Sequence, residues 1–207
     1  MRAFEPQTRF LVRGSVLLIA LLTLWWFVLL GPMLYLLRGA AGVFLMIEDA
    51  PSSDWTLRVP VDVTLPGTPQ QPLPWQLRSI DFEMPRSEAV IFTLSLPVYW
   101  AIILAAHGVR RNLRPLLLGT AVMTAIELVL FLGYAHITAA DAAAQLAGTE
   151  DAAGKWIHHV GVYLDVSVFP YAAPFVVALS LDLELSGEVF ALRQARTPGT
   201  TAIARRR

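Results

Sequence analysis

The segment from Leu11 to Leu30, LVRGSVLLIALLTLWWFVLL, decides the class of the protein. Arg13 is its one ionisable residue. A helix crosses the bilayer core with about 20 mostly apolar residues at 1.5 Å each. This segment has that length and predicts a span. Its apolar run is longer than the 7–15 residues usual in a cleaved signal peptide, so an uncleaved signal anchor is expected. Gly31-Pro32 marks an expected break or kink.

Three more segments of the same character follow outward along the chain. They are Val90–His107, Pro115–Ala135 and Val166–Leu181, the last starting as early as Val160 and interrupted by Pro170 and Pro174. The 207 residues are 56% hydrophobic and only 15% charged. Soluble domains average about 25% charged, so the whole chain agrees with its parts. The expected fold is an integral membrane α-helical bundle of four spans. There is no cysteine, which excludes disulfides, thiolate metal sites and cysteine nucleophiles. The formal net charge of zero gives no reason to expect nucleic acid as a partner.

Basic residues collect on the cytoplasmic side of membrane proteins. Arg2, Arg9 and Arg13 precede or open the first span. Arg110, Arg111 and Arg114 crowd the turn after the second, and Arg193, Arg196, Arg205, Arg206 and Arg207 follow the fourth. Both termini are therefore expected in the cytoplasm. The expected divisions are 1–37 (N-terminus and first span), 38–89 (outer loop), 90–107 (second span) and 108–114 (basic turn). They continue with 115–135 (third span), 136–159 (second outer loop), 160–183 (fourth span) and 184–207 (basic tail). The arginines of the 108–114 turn also fit contact with anionic membrane lipid.

The first outer loop carries a different period. In WTLRVPVDVTLP, from Trp55 to Pro66, apolar side chains fall on every odd position from Trp55 to Leu65. That alternation is a strand with one wet and one buried face. WQLRSIDFEM, from Trp75 to Met84, is a second strand whose phase slips at Arg78-Ser79, as a β-bulge would make it slip. The pair forms an antiparallel insert whose apolar face holds Trp55, Leu57, Val59, Val61, Val63, Trp75, Leu77, Ile80 and Phe82. A two-stranded ribbon is marginal alone in water, so that face needs a cover. Three covers are available: a helix over Met33–Ile47 lying along the membrane boundary, the outer ends of the bundle, or a partner protein. Pro60 lacks a ladder donor and suits an edge strand. In the second outer loop, TAADAAAQLAGTEDAAGK from Thr138 to Lys155 predicts a short helix starting at Thr138 and ending near Gly148.

Glu127, midway along the third span, is the most informative polar residue. A carboxylate at that depth costs about 3 kcal/mol and is usually paired or functional. It lies about 18 Å from the cytoplasmic end of its helix. Thr23, Ser95 and Tyr171 lie at similar depth on the other spans. On its own helix Thr120, Thr124, Glu127 and Tyr134 form one stripe, so Glu127 is expected to face the interior. It serves either as a proton or ligand site or as a hydrogen-bonded acid that fixes helix packing. His136, His158, His159 and Asp165 gather near the outer boundary, with His158 and Asp165 seven apart, and are the candidates for a metal site. His107 reads as a headgroup-level residue. No nucleophile elbow, phosphate loop, zinc helix or dinucleotide fingerprint is present, so no catalytic set and no cofactor is expected.

Taken together, Arg9-Phe10-Leu11-Val12-Arg13, Leu24-Trp25-Trp26-Phe27, the Gly31-Pro32 break, a β-rich outer loop and three further spans make a layout. It resembles the exosortase H-associated membrane proteins of Gram-negative bacteria. The resemblance implies a bacterial inner membrane and a partner that is a membrane-embedded sorting transpeptidase. Exosortases use a cysteine with arginine and histidine, and this chain has no cysteine. The expectation is a non-enzymatic accessory protein. The alternatives are a small proton-coupled carrier or channel subunit using Glu127, which would work as a homo-oligomer, and a membrane metal-dependent hydrolase using His136, His158 and His159.

Overall fold

The computed structural model describes residues 6–50, 54–66, 73–107, 113–149 and 151–181. Arg2, Arg110, Arg111, the basic tail and the middle of the connection between the two strands lie outside the described residues, and so do the side chains of Arg9 and His107. Helix α1 (Pro6–Leu24) runs through a π turn (Trp25–Leu29) into α2 (Leu30–Ala41). Strands β1 (Met46–Asp49), β2 (Trp55–Leu65) and β3 (Trp75–Met84) follow. Then come α3 (Arg86–Ala89), a 3-10 turn (Val90–Thr93), α4 (Ser95–His107) and α5 (Leu113–Ala147). Helix α6 (Ala152–Tyr163) continues through a second π turn (Leu164–Val168) into α7 (Phe169–Leu181). Among the described residues four helical stretches, Phe10–Ala41, Arg86–Ala106, Leu113–Ala147 and Ala152–Leu181, are long and apolar enough to cross a membrane. The chain is a multi-pass helical membrane bundle carrying a small antiparallel sheet at one end.

Three of the four helices are much longer than their hydrophobic segments suggest. Helix α5 does not stop at Ala135 but continues through TAADAAAQLA, because alanine is the best helix former and nothing there breaks the ladder. The short separate helix expected to start at Thr138 is the last part of α5. Gly148, with φ of 65°, ends it where expected. Asp151 then opens α6 as its N-cap, accepting the Gly154 N–H at 2.6 Å. The last helix therefore begins well before Val166.

The break expected at Gly31-Pro32 is also absent. The chain stays helical to Ala41, and the irregularity sits one turn earlier, where the Leu30 N–H reaches the Trp25 carbonyl. The wider turn relieves the clash that a proline ring makes with the carbonyl four residues before it. Pro170 has the same arrangement: the Phe169 N–H bonds the Leu164 carbonyl in the turn that precedes it. Met33–Ile47 is thus not a helix lying along the boundary. Its first part completes α2, and its end enters β1.

The sheet has three strands in the order β1-β2-β3, one more than the alternation revealed. Met46 to Asp49 pairs antiparallel with Arg58 to Trp55, so this half of β2 is central. Pro60 lies beyond the reach of β1, which is why a residue without an N–H is tolerated there. The ladder slips at the expected level. Pro60 pairs with Ser79 and Val63 with Leu77, so Val61 and Asp62 together face Arg78. The extra residue belongs to β2, not to β3.

The apolar face of the sheet lies on the chain's own helices. Trp55, Leu57, Val59, Ile80 and Met84 join Phe131, Ala135, Ala139 and Ala143 of α5, together with Leu37 and Ala41 of α2, in one core. Ala135, Ala139 and Ala143, spaced by four, make a ridge of small residues on which a sheet can lie closely, with Phe131 one turn before them. The Trp55 ring meets Phe131 edge-on at 6.1 Å, and Phe92 meets the same ring at 5.7 Å. The self-covered arrangement therefore takes the face that a partner would have used; Val61, Val63, Leu77 and Phe82 are half-buried at its margin, and Trp75 is exposed.

Ion pairs pin the rim. Arg38 of α2 donates to both Asp49 oxygens at 2.8 and 2.9 Å, and Arg86 of α3 adds a bond at 3.1 Å. Arg58 and Asp81 form a two-pronged pair across β2 and β3 at 2.8 Å on each prong. The hydrogen bonds from Arg38 to Asp49 and from Arg58 to Asp81 hold both carboxyls below their ordinary range. Their support is present at neutral pH and fades on acidification through the lowered values. All of these groups are solvent-accessible, so the pairs set register more than stability.

At the end away from the sheet, Leu96, Tyr99, Ile103, Met123, Val177 and Ala178 form the bundle core. Tyr99 lies over Gly119, where an added Cβ would sit 1.8 Å from the phenol oxygen, and its hydroxyl donates to the Pro115 carbonyl at 2.5 Å. Gly119→Ala should cost about 1–3 kcal/mol by overpacking. The same change in a Tyr99→Leu background should cost under about 1 kcal/mol, a coupling measurable by unfolding in mixed micelles as a double-mutant cycle.

Candidate functional site

The polar centre of the bundle forms where α4 begins. Val90–Thr93 is a 3-10 turn, Leu94 bonds back to the Ile91 carbonyl at 3.4 Å, and α4 starts at Ser95. A helix start leaves its first N–H groups without partners, and no water stands in hydrocarbon to take them. Pro97 in the first turn carries no N–H and removes one of these orphans.

Glu127, on the facing helix, meets part of this need. It is 3% exposed. The Ser95 hydroxyl donates to Glu127 Oε1 in a short hydrogen bond, and the Leu96 backbone N–H is a second partner of the carboxyl. Glu127 therefore caps α4 from another helix and places its carboxyl at the positive end of that helix. A cavity of about 20 Å³ adjoins it, lined by Leu36, Leu37, Ala40, Thr93, Thr124 and Glu127. That space is the size of a single water molecule.

Of the hydroxyls expected near Glu127, Ser95 alone bonds it. Thr23 bonds the Ile19 carbonyl at 2.8 Å and is exposed. Thr124 bonds the Thr120 carbonyl at 2.9 Å, although it borders the cavity. Thr120 accepts from the Trp100 indole at 2.9 Å. Tyr134 reaches Glu88 at 3.3 Å. Tyr171 is 57% exposed on the outside of the bundle. Sequence reading missed the Leu96 amide and Thr93; the signal was Pro97, which announces a helix start inside a span.

The candidate metal ligands do not converge. His136 and His159 are exposed, and His159 Nδ1 lies 2.7 Å from the Lys155 carbonyl. His158 turns to Asp141, with Nε2 3.8 Å from Oδ2. Asp165 is buried in the second π turn against Gly133, where an added Cβ would sit 3.0 Å from its Oδ2. Among the described residues no group of three or more His, Asp or Glu side chains is placed to hold a metal ion.

No family model matches the chain, and the searches of curated proteins and of solved structures found no match either.

Removing the cap tests its role. Glu127→Ala leaves the Ser95 hydroxyl and Leu96 N–H unpaired and should lower stability by about 1–3 kcal/mol. Glu127→Gln retains an acceptor and should cost less than about 1 kcal/mol. Equal losses from the two, in detergent unfolding curves, would remove the capping role.

Proposed function

We propose that the chain is a non-enzymatic accessory protein of a bacterial inner membrane, with both termini cytoplasmic, that binds a larger membrane-embedded enzyme side by side in the bilayer. The observation that supports this reading is the position of its first helix. Only 6% of the apolar window of Phe10–Ala41 is buried within the chain, against 56% for Arg86–Ala106. Trp26, Phe27 and Tyr35 stand outward at 58, 79 and 79% exposure. Large aromatic side chains at such a lateral face are suited to seat a second membrane protein. The resemblance of its layout to exosortase H-associated proteins supports a sorting transpeptidase as the class of that partner.

A carrier based on Glu127 has less support, because its carboxyl is engaged by Ser95 and Leu96. The hydrolase reading has less still, because His136, His158 and His159 do not share a site.

A photoreactive residue in place of Phe27, activated in cells, should give one heavier adduct that contains a membrane transpeptidase. Adducts to lipid alone would overturn the reading. A second measurement checks the orientation. The chain has no native cysteine. Asp62→Cys, on the exposed face of β2, should react with an impermeant thiol reagent in intact cells once the outer envelope is opened. Labelling only after the inner membrane is lysed would invert the topology.

A further inference from the structure

Two acids are buried among the described residues, Glu127 and Asp165. Glu127 is bonded by Ser95 and Leu96, whereas Asp165 Oδ2 is buried with no hydrogen-bond partner. Asp165 is 8% exposed. It stands 16 residues before Leu181, or about 24 Å along the last helix, so it lies within a hydrocarbon core of about 30 Å. An ionised carboxylate at such a place, without a cation, is far costlier than the neutral acid.

The titratable groups of the surrounding helices are engaged elsewhere. On α5, Tyr134 reaches Glu88, Glu127 takes the Ser95 hydroxyl, and His136 is exposed. On α6, His158 turns to Asp141 and His159 Nδ1 lies against the Lys155 carbonyl, while Lys155 and Tyr163 are exposed. On α7, Tyr171 is exposed. Among the described residues no lysine, arginine or histidine forms an ion pair with Asp165.

Shape, not charge, holds the carboxyl. A Cβ added to Gly133 would sit 3.0 Å from Oδ2, 3.8 Å from Cγ and 3.9 Å from Oδ1, so the whole carboxyl lies over the glycine backbone. A neutral acid fits that seat, and a charged one gains nothing from it. The helix ladder is thin at the same level. The Phe169 N–H goes to the Leu164 carbonyl and Pro170 has none to give. The carbonyls of Asp165 and Val166 thus lose the donors that an α-helix would supply four residues on. Such a turn is where a helix bends most readily.

We propose that Asp165 is a proton-operated latch between the last span and α5. With its proton on, the carboxyl stays seated on Gly133. When its O–H bond breaks and the proton passes to water at the membrane surface, the carboxylate leaves the seat for that water, and the π turn bends away from α5. The proposal draws on no partner enzyme.

The test uses full-length protein in nanodiscs, with aspartate ¹³C-labelled at its side-chain carboxyl. Infrared spectroscopy should show a neutral-acid carbonyl band at neutral pH that is lost in Asp165→Asn and fades in the native chain as the pH rises. The chain has no native cysteine, so spin labels on Ser167→Cys and His136→Cys, both exposed, read the distance from the turn to α5. That distance should lengthen with the same pH midpoint as the band fades. Asp165→Asn, neutral at every pH, should keep the short distance throughout. Gly133→Ala crowds the seated form, which is the protonated one, and should move the midpoint to lower pH by about one unit. A band absent at neutral pH, or one that survives until the protein unfolds, would overturn the latch. So would a distance that stays fixed while the band fades, the same lengthening in Asp165→Asn, or an unmoved midpoint in Gly133→Ala.

Discussion

The bond from Ser95 to Glu127 is the constraint around which the bundle is arranged. A helix that starts inside hydrocarbon presents unpaired amides where no water can take them. Helix α4 follows a 3-10 turn within an apolar stretch, with Pro97 in its first turn. One carboxyl, supplied by α5, answers both the Ser95 hydroxyl and the Leu96 amide. This fixes the height of α5 against α4, and from that height the contacts at Tyr99–Gly119 and Phe92–Phe131 follow. The acid at the centre of this protein is a brace before it is anything else.

Helix α5 is also the mast of the structure. Its 35 residues measure about 52 Å, well beyond the hydrocarbon thickness. Glu127 lies in the more apolar half, while Ala135, Ala139 and Ala143 lie in the half that carries the sheet. The same helix also forms one wall of a cleft against the start of α6 through Ile137, Asp141 and Ala144. Bundle, sheet and cleft share one rigid element, so none can shift alone.

Much of this was legible in the residues, and the gaps have physical causes. The spans announced themselves because apolar runs report the thickness of lipid. They did not report helix length, since alanine-rich TAADAAAQLA is helical without being greasy enough to count. The alternation in β2 and β3 showed both strands and the level of their irregularity, yet left open which strand held the extra residue. Strand β1 is only four residues long, too short for a period to stand out. Glu127 read correctly as inward-facing with Ser95 at its depth. Its second partner is a backbone amide, which no side-chain pattern reveals. The histidines suggested a shared centre because closeness in sequence is not convergence in space: successive residues on a helix point about 100° apart.

Because the sheet rides on the projecting half of α5, the membrane itself becomes a mechanical input to it. A helix longer than the local bilayer accommodates a change in thickness chiefly by leaning. Any lean of α5 would carry the sheet with it, because Trp55 is packed on Phe131 of that helix. A change in bilayer thickness would thereby reach the sheet as a change of helix tilt.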